Sequence, residues 1–153
     1  MDSEAFRNTY KEINVQDCVF AKAILTRQAA CRRAEWFCIA EREGVRCLDA
    51  EARARCLELT ATLRRQARFA LKARRDPGEL AYAQGMRVQM GGLRGIAEAL
   101  ESGTRADGLV EDIDDLVEKA LGRFGTIDRL PFARIMRHIA AYRGRRRRRR
   151  HKG

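Results

Sequence analysis

Apolar residues recur at intervals of three and four along most of this chain, and alternation at every second position is almost absent, a pattern that predicts helices. The clearest stretch is Cys56, Leu59, Leu63, Ala67 and Ala70, one stripe down a single helix. Asp49 precedes it, with a carboxylate suited to the orphan amides of a first turn, and Asp76-Pro77-Gly78 supplies the stop. Upstream, a first helical region is expected from about Asn14 to Glu43, closed by Gly44 as a C-terminal cap. Downstream, Met86, Met90, Leu93, Ala97 and Leu100 place a third helix over about Glu79 to Ser102. Val110, Ile113, Val117, Ala120, Leu121 and Phe124 mark a fourth, and Pro131 opens a fifth carrying Phe132, Ile135, Met136 and Ile139.

The fold class that follows is all-α: a compact bundle of about five helices, in which an αα-hairpin carries the cysteines, with a disordered basic C-terminal tail. Residues 1–142 form the single helical domain and residues 143–153 the Arg-rich tail. Four glycines interrupt the third helix, each costing about 1 kcal/mol relative to alanine in a helix interior. Either that helix is broken there, or close approach of another backbone offsets the cost. The Gly91 and Gly95 spacing is expected to pack tightly against the hairpin.

Charge changes this picture only at one end. The formal charge is +11, but "RGRRRRRRHKG", from Arg143 on, carries eight of the 32 Lys and Arg residues and no acid. The remainder is nearly balanced at +3, so the basicity describes what the tail touches. Arg145, Arg146, Arg147, Arg148, Arg149 and Arg150 are the candidate contacts to phosphate or to an acidic partner. A solvated tail accounts for the same run. Arg64, Arg68, Lys72 and Arg75 form a second basic stripe, which a solvent-facing helix side explains as well. No apolar run approaches a membrane span and the start lacks a secretory pattern, so a cytoplasmic location is expected.

The cysteines carry the most specific chemistry. Four of five fall within residues 31–56, and in a reducing compartment an odd count fits metal-bound or free thiols better than a disulfide framework. On an antiparallel helical hairpin, Cys38 and Cys56 reach similar heights and Cys47 closes the same end. Cys31 shares the face of Cys38 but lies about 10 Å along the helix. Cys31, Cys38, Cys47 and Cys56 are therefore the candidate ligands, and Cys18, on another face of a continuous helix, is set outside. Their wide spacing suits an iron–sulfur cluster, with zinc as the alternative because paired CxxC spacing and a local histidine are missing. Packing is the competing explanation, since Cys56 occupies a position on the apolar stripe that leucine could fill. A thiol redox role has no CxxC pair to support it, and a cysteine nucleophile has only the distant His138 as partner.

Other motifs add little. "EDIDD", Glu111 to Asp115, could hold magnesium but complements the positive end of the fourth helix. "GMRVQMGGLRG" is neither a dinucleotide-binding fingerprint nor a phosphate loop. No general base or nucleophile pair can be named, so the sequence gives no enzymatic reaction. The expected function is a small metal-binding protein in electron transfer, redox sensing or accessory assembly, with a protein partner such as a redox protein. Nucleic acid bound through the tail, or an acidic partner engaged by a helical adaptor, is the alternative.

Overall fold

The structure, a computed structural model, describes residues 16–71, 81–105 and 107–144. The stop at Asp76-Pro77-Gly78, Lys72 and Arg75 of the second basic stripe, and the contact residues Arg145 to Arg150 lie outside the described residues.

The chain is mostly helical but not all-α. In place of one long first helix stand a short helix, α1 (Ala21–Leu25), and an antiparallel hairpin of β1 (Ala34–Ile39) and β2 (Arg42–Cys47). No αα-hairpin carries the cysteines. Two local features decide against helix. Trp36, Phe37, Ile39 and Val45 fit a half-buried pleated surface, and Ala40 and Glu41 turn the chain with φ of 47° and 69°, the left-handed conformation that matches strand twist in a two-residue loop. Gly44 is no helix cap; it pairs with Phe37 inside the ladder. On one face Trp36 opposes the fully buried Val45, and Arg27 lies over the indole at 5.1 Å. On the other, Glu35 and Arg46 form a cross-strand ion pair.

Beyond the hairpin the periodic stripes become helices. Helix α2 (Ala50–Leu71) starts where predicted, with Asp49 Oδ1 accepting from the amides of Glu51 and Ala52 at 2.9 and 3.0 Å. Its Leu59, Leu63 and Ala67 are buried. Helix α3 runs through Ala81–Met86, a π turn at Arg87–Gly91, and Gly92–Leu100. Gln89 sits buried in that π turn, accepting from the Ala23 amide and donating to Val19 O, both at 3.2 Å, which ties α3 to α1. Helix α4 (Ile113–Phe124) is capped by Asp112, and α5 (Phe132–Ala141) follows Pro131. Ile24, Leu59, Leu63, Met90, Leu93, Ile96, Leu116, Ile135 and Ile139 meet in one core. Among the described residues no helix is long and apolar enough to cross a membrane.

Close approach explains the glycines, but the partner is α5 rather than the cysteine hairpin. A Cβ on Gly91 would stand 2.6 Å from Ile139 Cα, and one on Gly95 2.8 Å from Ile135 Cα. Because both obstacles are backbone, Gly91→Ala is expected to destabilise the fold by about 2–3 kcal/mol through forced separation of the helices. Gly122→Ala, whose added methyl meets nothing within 4 Å, is expected to be neutral or stabilising by up to about 1 kcal/mol. Urea midpoints of the two variants check the contrast.

Candidate metal centre

Four cysteines line one small cavity, each delivered by a different segment: Cys18, Cys31, Cys47 and Cys56. Cys18 arrives by strand pairing. Its amide donates to Val45 O at 3.0 Å, while the Cys47 amide donates to Gln16 O at 2.7 Å, so the segment before α1 lies along β2. Cys31 arrives on a strap clipped to the start of α4 by Ala30 N to Val110 O and Ile113 N to Ala30 O, both 2.9 Å. Cys47 ends β2, and its thiol donates to Asp49 O at 3.2 Å. Cys56 comes from α2, two turns after its Asp49 cap.

Of the four ligands expected from sequence, the fold brings Cys31, Cys47 and Cys56 together and leaves Cys38 out. Cys38 is exposed near the far end of β1. It stands four strand residues beyond Ala34, which lines the cavity, a distance of about 13 Å at strand spacing. A helix over the same residues would have covered about 6 Å. Cys18, assigned elsewhere by the continuous-helix reading, takes the vacated corner.

Burial dominates the chemistry of these thiols. It pushes Cys18 up to about 12 against the opposing pull of the Phe20 backbone amide, which hydrogen-bonds the sulfur. Cys56 is likewise pushed up to about 12, first by burial and then by the neighbouring Cys18, Cys31 and Cys47. Cys31 is raised by burial, although its sulfur accepts from the amides of Arg33 and Asp114. At neutral pH these three are protonated, a poor state for a nucleophile or an exchanging dithiol. A cation among them reverses the balance, because each thiolate then gains a counter-charge. In metal-free folded protein, iodoacetamide at pH 8 is expected to alkylate exposed Cys38 at least about 100-fold faster than Cys18 or Cys56. Peptide mass spectrometry over time reads the order.

The cavity measures about 20 Å³, room for one water-sized particle. That is far below the several hundred Å³ of a small-molecule site, and a metal cluster seated there would have to part the thiols and the walls around them. Among the described residues no three His, Cys, Asp or Glu side chains converge tightly enough for a single metal ion.

One wall is an ion cluster that sequence reasoning missed. Asp114, 3% exposed, accepts from Arg32 Nε at 2.8 Å, Arg33 Nε at 3.2 Å and Arg55 at 3.2 Å. Burial works to raise its pKa, but these three guanidinium hydrogen bonds outweigh it and hold the carboxyl below its usual range. Arg33, Arg53 and Asp114 all line the cavity. No family model, curated protein or solved structure matches the chain. Of the other "EDIDD" acids, Asp112 caps α4 and Asp115 pairs with Lys119 at 2.9 Å. His138 contacts Glu98 on α3 rather than any thiol.

Proposed function

We propose that the chain holds an iron–sulfur cluster on Cys18, Cys31, Cys47 and Cys56, for electron transfer, redox sensing or accessory assembly in the cytoplasm. The observation that carries this reading is the convergence of four thiols from four segments on one cavity. Packing alone does not call for sulfur at every corner, and no two of the cysteines are bonded to one another.

The surroundings of the thiols bear on this reading. Backbone amides of Phe20, Arg33 and Asp114 point at the sulfurs of Cys18 and Cys31, the kind of outer contact that stabilises thiolate ligands and tunes reduction potential. Arg33 and Arg53 line the walls, but they are paired with Asp114 and Asp17, so the walls bring carboxylates as well as guanidiniums to the thiols. Delivery of the four cysteines by four separate segments suits a cluster, which takes ligands from several elements, better than zinc, whose bonds of about 2.3 Å to sulfur demand a compact tetrahedron. When bound, the cluster supplies one-electron chemistry. The chain supplies four thiolates, amide donors and a shell of apolar residues, and it must release thiol protons on loading.

Anaerobic purification followed by a visible spectrum and assays of iron, acid-labile sulfide and zinc tests the proposal. Near-stoichiometric iron and sulfide with a brown colour is the expected result. A folded, colourless chain that cannot be reconstituted with iron and sulfide would leave the thiols as packing.

A further inference from the structure

The arginines of helix α2 divide into two groups. Near its start, Arg53 pairs with Asp17 at 2.7 Å, and Arg55 with Asp114 and Glu118 at 3.2 and 3.7 Å. In its second half, Arg64, Arg65 and Arg68 are exposed, and among the described residues none of the three has a carboxylate partner. Arg65 donates instead to Thr62 Oγ1 at 3.2 Å. No acid occurs between Glu58 and the end of the helix at Leu71. The 3-10 turn Ile127–Arg129, which packs on α2, carries one exposed acid and one exposed base, Asp128 and Arg129, and leaves the surplus unchanged.

The helix itself does not account for this surplus. A helix C-terminus favours cations only over its last turn, which takes in Arg68 but not Arg64 or Arg65. Arg64 and Arg68 are four residues apart, the spacing at which like charges repel and destabilise a helix. Arg65 and Phe69 form the neighbouring row at the same spacing, so three guanidiniums and one ring share an outer strip of the helix. Cations held together against their own repulsion on an open face attract an anion.

Phe69 narrows the partner. It is 90% exposed. Arg27, Lys22 and Arg123 stand over the rings of Trp36, Tyr82 and Phe124, but among the described residues no cation covers Phe69. A bare ring gives a base a face to stack on whatever its identity, and guanidinium forks match phosphate oxygens. A base offers its own face only when it is unstacked, which selects a single strand over a duplex. A lipid surface fits less well, since one ring is little apolar area where even a whole acyl chain anchors only marginally.

We propose that the second half of α2 binds single-stranded nucleic acid, its phosphates on Arg64, Arg65 and Arg68 and one base stacked on Phe69. The proposal is independent of the thiol centre and of the Arg-rich tail.

Titration with a fluorescent oligothymidylate over a range of salt tests it, using the full-length chain and a full-length variant in which Arg145 to Arg150 are replaced by serine. Both are expected to bind the strand. In either one, Phe69→Ala is expected to weaken binding about fivefold or more, while Phe69→Tyr retains it. Replacing Arg64 and Arg68 together by glutamine is expected to weaken binding and to flatten the slope of log affinity against log salt by about 1.4, the share of two phosphates on a single strand. All three side chains are exposed, so circular dichroism should show the variants folded. The proposal is overturned if the strand does not bind. It is equally overturned if binding ignores the Phe69 and arginine variants and vanishes only with the serine tail, which assigns it to the tail alone. Vesicles of phosphatidylserine and phosphatidylcholine that bind with this sensitivity to Phe69→Ala, where the oligothymidylate shows none, overturn it in favour of a membrane surface.

Discussion

Cys18→Ser is expected to strip iron and sulfide from the anaerobically purified protein, while Cys38→Ser leaves both at the wild-type level. Sequence periodicity alone ranks these two residues the other way round. Cys18 is locked beside Cys47 by two backbone hydrogen bonds, and its sulfur faces the cavity shared with Cys31 and Cys56. Cys38 is carried away by the extended strand and is exposed. Loss of an outer-shell partner typically costs 10–100-fold in metal affinity, and loss of a ligand should exceed that. Serine is close in size to cysteine, so circular dichroism of the metal-free variants separates loss of ligand from loss of fold. If Cys38→Ser loses the metal and Cys18→Ser keeps it, the proposed ligand set is wrong.

Asp114→Asn is expected to destabilise the protein by about 2–3 kcal/mol at pH 7. Breaking a buried pair from one side typically costs 3–5 kcal/mol, but here the three guanidiniums are 30–42% exposed and water screens part of the loss. The amide preserves shape while leaving Arg32, Arg33 and Arg55 gathered without their counter-charge. The acid limb gives a second signature. Asp114 has a folded pKa below its unfolded value of about 3.9. Its stabilisation is therefore complete above that value and drains away as pH falls through the folded pKa. Wild type and variant should differ most at neutral pH and draw together below about pH 4. Urea denaturation at pH 7 and pH 3 measures both points, and equal stability at pH 7 would remove Asp114 as the clamp.

What could be read from the sequence was mostly what is local. Helices α2, α4 and α5 announce themselves through apolar spacing, the Asp49 cap and Pro131, and five helices are found among the described residues. The β-hairpin did not, because "AEWFCIAEREGVRC" mixes helix-forming Ala, Glu and Arg with strand-forming residues. Its turn uses Ala40 and Glu41 in the left-handed conformation instead of the Asn-Gly or Asp-Gly that usually signals one. That single substitution of strand for helix exchanged Cys38 for Cys18 in the candidate site. The aromatic Trp36-Phe37 step and the Val45 opposite it were the signals available. Asp114 left none: its guanidinium partners lie between 59 and 82 residues away in the chain, so only the fold reveals them.

The placement of the four cavity thiols also bears on how the molecule comes apart. They follow one another within residues 18–56, yet the walls that complete their enclosure, Ile113 and Asp114, belong to α4. A centre bonded to all four sulfurs would close three short consecutive loops and remove most of the open conformations of that segment when unfolded. The lifetime of the folded chain would then be set by how slowly the last metal–sulfur bond lets go, a matter of rate more than of equilibrium.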